Sequence, residues 1–239
     1  MPPAAKLPER WKHLYTARNG YANYRFNQER RDECLAGLRN LGSVAQWKGL
    51  WQITGETDQK LHFEFKLGST GAGLILGKDQ FYQSFLDGDE WKDEPPGSGA
   101  LLGAFRHLQL LLMEGSEKFT ESCYWGSEEW GDTPALCDVV RCDLASTVSY
   151  WYFRRPDRAW TGMRFHLTED AAPCEITCEA PGMFGNRRFP AEMNVRGPNP
   201  YQLRLVVKSV TVGEKAATPP TEDRPDSGKE RKGDNVPSD

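Results

Sequence analysis

Seven consecutive residues set the terms for the whole chain. In Leu61-His-Phe-Glu-Phe-Lys-Leu67, the residues Leu61, Phe63, Phe65 and Leu67 share one face of a strand, and His62, Glu64 and Lys66 share the other. About ten short segments of this kind lie between Val44 and Val212, with one long helical stretch interrupting them. Antiparallel strands with one oily face must cover it. Helical cover is scarce here, so the oily face either folds onto itself or lines a cavity.

The 239 residues suffice for one large β domain or two small ones. With 38% hydrophobic residues and eight Trp there is ample material for a buried core. The formal net charge of −4 argues against a general nucleic-acid surface, which needs a basic footprint. Nothing approaches a membrane-spanning apolar run. The opening Met1-Pro-Pro-Ala-Ala-Lys6 has no signal-peptide core, so the chain reads either as cytoplasmic or as a piece of a longer exported polypeptide.

Along the chain, residues 1–10 are expected to form a flexible arm. Trp11 to Leu41 has helical periodicity, with a break at Gly20 and with Tyr21, Tyr24, Leu35, Leu38 and Leu41 as a packing stripe. Gly42 is placed to cap it. Strands follow from Trp47 to Thr54, Leu61 to Leu67, Leu74 to Leu76 and Phe81 to Phe85. Asp87-Gly88 marks a turn. A second helix carries Leu101, Phe105, Leu108 and Leu112 in a stripe widened by Leu102 and Leu111, with Ser98 as the expected N-cap and Gly115 as its end. Further strands are expected at Glu121–Trp125, Leu136–Asp143, Thr147–Phe153, Gly162–Leu167, Cys174–Glu179, Phe189–Val195 and Tyr201–Val212. The tail 214–239 holds four Pro, twelve charged residues and one large aliphatic, Val236, which predicts disorder. Residues 11–213 then form a single domain.

Chemistry-bearing patterns are sparse. Gly68-Ser-Thr-Gly-Ala-Gly73 lacks the Lys-Ser/Thr ending of a phosphate loop. His13, His62, His107 and His166 stand beside no nucleophile motif. The pairs Asp89/Glu90, Glu128/Glu129 and Glu169/Asp170 fall where turns are expected, as does the basic knot Arg154-Arg155-Pro-Asp-Arg158. Cys137/Cys142 and Cys174/Cys178 invite a zinc reading, but four residues along a strand separate two thiols by about 13 Å, whereas each must approach zinc to about 2.3 Å. Buried free thiols are the expectation for all six cysteines, with a disulfide open if the domain is exported. No cofactor is expected.

The order of elements resembles a known family. A long helix precedes a strand series; Asp87-Gly88…Trp91 leads through a Pro-rich break to the oily helix at Leu101–Leu112; Phe189-Pro-X-X-X-X-Val195 and Val207-Lys-Ser-Val210 close the series. This looks like the LolA-like superfamily of bacterial lipoprotein-sorting carriers. The resemblance implies a mainly β (α+β) fold: an open antiparallel half-barrel of some ten or eleven strands, with an N-terminal helix and an apolar helix covering the concave face. It further implies a non-catalytic domain of the bacterial cell envelope whose apolar cavity takes a lipid, lipopeptide or apolar peptide. From alternation, the lining would comprise Trp51, Phe63, Phe65, Phe85, Leu101, Phe105, Leu108, Trp151 and Phe165. Separately, Arg18-Asn-Gly-Tyr-Ala-Asn-Tyr24, Pro96-Gly-Ser-Gly-Ala-Leu-Leu102 and Glu117-Lys-Phe119 are similar to the region after the trypsin-like domain in some bacterial envelope serine proteases. That similarity implies an accessory module with a filled core and a serine protease partner.

Overall fold

A computed structural model describes residues 20–87, 90–91, 95, 97–131, 135–198 and 202–213, with backbone alone for 20–25, 85–87 and 90–91. The expected arm 1–10, any helix before Gly20 and the tail 214–239 lie outside the described residues.

The alternation of apolar residues becomes twelve antiparallel strands in one sheet: β1 Leu50–Thr57, β2 His62–Leu67, β3 Gly71–Leu76, β4 Gln80–Asp87, β5 Glu90–Trp91, β6 Glu121–Trp130, β7 Ala135–Leu144, β8 Thr147–Arg154, β9 Trp160–His166, β10 Cys174–Phe184, β11 Arg187–Arg196 and β12 Gln202–Gly213. Their spatial order is β5-β4-β3-β2-β1-β12-β11-β10-β9-β8-β7-β6. Two meanders therefore meet at a β1–β12 seam, where Trp51 faces Val212 and Ile53 faces Val210. Among the described residues β5 and β6 do not pair with each other, so the sheet stays open, as an open half-barrel requires.

Among the described residues three α-helices accompany it, α1 Gly20–Ala36, continued by a 3-10 turn at Gly37–Leu41, α2 Val44–Trp47 and α3 Leu101–Glu114, which a 3-10 turn at Ser116–Lys118 follows. The topology dictates where α3 lies. It links strands at opposite edges of the sheet, so it must cross the whole concave face. It contacts β2 and β3 on one arm and β9 on the other. Every residue from Leu101 to Leu112 is buried, including Arg106, His107 and Gln109. These polar groups tie α3 to the strand ends. Arg106 donates to Gly68 O at 3.1 Å and to Gln109 Oε1, and Gln109 Nε2 donates to Leu67 O at 2.9 Å.

Some local expectations need correction. Trp47 does not begin the first strand; it ends α2, because Ser43 and Gln46 form a capping box that nucleates a helical turn, with Ser43 N–H donating to Gln46 Oε1 at 2.6 Å. Fully buried Trp47 then lies 4.8 Å from Trp51 and 5.9 Å from Phe189, ring centre to ring centre. Ser98 is not the N-cap of α3. Gly97 and Gly99, at φ 87° and 65°, wind the chain so that Ala100, at φ 61°, takes that position. Strands β10 and β11 run further than the Pro-rich sequence suggests. Pro181 faces Pro190 beside a register shift, where the missing N–H groups cost least.

Helix α1 packs over β6 and β7, and the 3-10 turn that continues it brings Gly37 against the β8–β9 turn. A Cβ there would sit 2.0 Å from the backbone oxygen of Arg158, in the β8–β9 turn. A backbone atom cannot swing aside, so Gly37→Ala should cost about 3 kcal/mol by forcing the helix end off the turn. Urea-unfolding midpoints measure this, with Gly213→Ala as the control, since nothing lies within 4 Å of a Cβ there. Equal effects in the two variants would refute the contact.

Candidate functional site

Of the nine residues singled out by alternation, the structure brings eight together. Trp51, Phe63, Phe65, Leu101, Phe105, Leu108, Trp151 and Phe165 all belong to one inner core cluster beneath α3. The backbone of Phe85 pairs with Gly71 on the same arm, while its side chain lies outside the described residues. Contacts within the group are close: Phe65 stacks on Phe105 at 4.4 Å, and Phe63 meets Phe65 edge-on at 5.7 Å. Strand β8 divides its aromatics between two layers. Trp151 and Phe153 enter this inner core, and Tyr152 joins Trp130, Cys137 and Val139 on the outer face, with Trp130 stacked on it at 3.7 Å.

His107 pins the middle of α3 to β8. Its Nδ1 lies 2.9 Å from Ser149 Oγ and its Nε2 lies 2.8 Å from Thr147 Oγ1. Burial, with some help from the neighbouring Arg106 charge, lowers its pKa from 6.5 to about 3, so the ring is neutral and one nitrogen must accept. Thr147 gives its hydroxyl proton to Leu144 O at 2.6 Å, whereas Ser149 reaches Cys142 O only at 3.2 Å. Nε2–H therefore donates to Thr147, and Nδ1 accepts from Ser149, whose oxygen receives the Trp151 indole N–H at 2.9 Å. This resembles a histidine–serine relay in connectivity, but His107, Thr147 and Ser149 are all buried beneath the surface.

The basic knot of the β8–β9 turn is also committed internally. Arg154 pairs with Asp157, while Arg155 and Arg158 both reach Asp138, with Arg155 Nε at 3.1 Å. Asp138 is fully buried on β7 and also accepts from Ser127 at 2.9 Å and Tyr124 at 3.0 Å. Burial alone would raise its carboxyl pKa; the four hydrogen bonds outweigh that and hold it below the usual carboxylate value. Arg158 also reaches Glu33 at 3.3 Å, so the network latches α1 to the sheet. Each of these arginines is thus engaged by a carboxylate of this chain.

All six cysteines are free thiols. Burial pushes Cys34 up to about 11 and Cys142 and Cys178 upward as well, which keeps them protonated and inert. No group of three or more His, Cys, Asp or Glu among the described residues is placed to hold a metal.

A cleft lies elsewhere, on the far side of α3. It has a volume of about 720 Å³ and opens between the C-terminal turns of α1 and α3. Its apolar lining is half-buried Leu35 together with Leu38, Leu111 and Leu112, which are buried in the inner core cluster. Val44, 56% exposed, sits at its lip, and Asp32, Arg39, Glu114 and Glu117 are its charged lining groups. Leu35 and Leu38, which sequence periodicity assigned to core packing, do pack in the inner core; the cleft itself was passed over because it is made where two helices distant in sequence converge.

No protein-family model matches the chain, and no curated protein matches it. Similar solved structures include a LolA superfamily protein from Nitrosomonas europaea, at 6% identity and a TM-score of 0.48, covering 78% of this chain and 94% of that one. A DUF1329 family protein from Desulfovibrio piger is similar at 8% identity and a TM-score of 0.42, covering 78% and 95%. The open sheet with a helix laid across its concave face is the arrangement that the resemblance to the LolA-like superfamily implies.

Proposed function

We propose that this chain is a non-catalytic binding domain of the cell envelope that accepts an acyl chain or an apolar peptide segment. The observation that carries this reading is the cleft between α1 and α3, with leucines inside and an exposed valine at the lip. Its volume falls within the range of small-ligand sites, about 300–1,000 Å³. Apolar surface removed from water there contributes about 25 cal/mol per Å² before the costs of association. Helix α3 is shared between the cleft and the inner aromatic layer. In this reading a long ligand would extend towards Trp51, Phe65, Phe105 and Trp151 as α3 shifts.

An uncharged fluorescent alkyl probe tests the proposal. Saturable binding is expected, and Leu35→Trp, which fills the cleft, should weaken it by about tenfold. A second reading, an interaction module with a filled core that serves a trypsin-like protease, is favoured by the tight Phe65–Phe105 stack. Absence of saturable uptake, together with retention of such a protease in a pull-down, would decide for it.

A further inference from the structure

The β10–β11 hairpin leaves the sheet halfway along its length. Strand β9 accompanies β10 only from Cys174 to Thr177, and β12 accompanies β11 only from Glu192 to Arg196. From Cys178 to the tip and back to Ala191, the two strands pair with each other alone among the described residues. Register shifts on both sides of Ala180 mark the departure, and such shifts bend a strand away from its neighbours. Pro181 faces Pro190 just beyond, so neither can donate an amide across the pair. Burial falls off with the pairing. Cys174, Ile176, Met193 and Val195 are buried, whereas between Cys178 and Ala191 only Phe189 and Pro190 are.

This outer half rests on α2 instead. Gln46 Nε2 donates to Asn186 O at 3.0 Å, and Arg187 Nε donates to Gln46 O at 2.7 Å. The Arg187 guanidinium lies 6.0 Å from the Trp47 ring centre, and Phe189 packs on the same ring. Trp47 in turn meets Trp51 of the inner core cluster. The hairpin thus straps down the α2 end of the inner aromatic layer. A segment with little buried surface and a ladder interrupted by two prolines opens at a smaller cost than the whole domain. We infer that residues 178–191 lift from α2 as one unit, and that this motion opens a route to the inner aromatic layer at Trp47 and Trp51. The route rests on the binding-domain reading above; the lifting does not.

Hydrogen exchange of the full chain at neutral pH, resolved to short segments by mass spectrometry, tests the lifting. Paired amides of residues 182–189 should exchange about a hundredfold faster than those of 192–196 in the same pair of strands. Arg187→Ala removes a charge-assisted hydrogen bond and a cation–π contact, so it should speed 182–189 about tenfold more and leave 192–196 unchanged. Arg187→Lys, which keeps a cation beside Trp47, should fall between. Equal protection of the two segments, or equal acceleration of both by Arg187→Ala, would overturn the strap. The uncharged alkyl probe tests the route. Its association rate should rise about tenfold in Arg187→Ala, because the population of the open state sets that rate. An unchanged association rate beside faster exchange would overturn the route and leave the strap standing. Failure of the probe to bind would sink the binding-domain reading and the route together, while the exchange result decides the strap by itself.

Discussion

Between pH 7.5 and pH 5 the folded domain should lose about 2 kcal/mol of stability, and His107 should account for most of that loss. The imidazole is neutral in the fold, at about 3, but takes a proton near 6.5 when the chain unfolds. Between those values the unfolded state binds the extra proton, so stability is complete above about pH 6.5 and drains away as pH falls. The full difference approaches 5 kcal/mol near pH 3, at about 1.4 kcal/mol per unit. Asp138 and Asp157, both held below the ordinary carboxylate value, add to the loss only once the pH nears 4. His107→Leu isolates the effect, because Thr147 and Ser149 each retain a backbone carbonyl to receive their proton. Urea midpoints at the two pH values should differ far less in that variant than in the parent. An unchanged pH slope would exclude His107 as its source.

Removing the Asp138 carboxylate should cost more than that fall in pH. Asp138→Ala removes the acceptor that the hydroxyls of Tyr124 and Ser127 share and leaves two guanidiniums facing a cavity, although Arg155, with its side chain 45% exposed, can turn to solvent. Breaking a buried pair costs 3–5 kcal/mol in general, and this exposure places the expected loss at about 3 kcal/mol. For a domain of this size that lowers the melting temperature by about 10 °C. Asp138→Asn keeps two hydroxyl partners and should lose about half as much. The damage should be concentrated in α1, since the network joins Asp138 through Arg158 to Glu33. Hydrogen exchange would then quicken in α1 before it does in β8. Uniform quickening across the domain would contradict the latch.

Much of this architecture was legible because strand alternation is a local property. The pattern reappears as alternating burial from His62 to Leu67 along β2, although Leu61 precedes the strand and is exposed, and the leucine-dense segment reappears as a helix buried from Leu101 to Leu112. What escaped depended on long-range or competing signals. Trp47, Gly49 and Trp51 mimic a strand face, yet Ser43 and Gln46 outweigh them by satisfying the first amides of a helical turn. Asp138 looks like an ordinary solvent-facing strand residue until four donors from β6 and the β8–β9 turn surround it. Spacing alone put Trp51, Phe63, Phe65, Trp151 and Phe165 on the apolar faces of their strands and Leu101, Phe105 and Leu108 on a helical stripe, and all eight lie in one core cluster. The cleft could not, because neither helix carries a mark of the other.

The seam between the first strand and the last has a consequence for biosynthesis. Leu50 cannot find Gly213 until some 160 further residues have left the ribosome. The early meander must therefore wait with one flank bare, and the apolar α3 has only half its eventual cradle during that interval. A chaperone that shields this nascent flank would matter more to this protein than to one whose terminal strands lie at the rim.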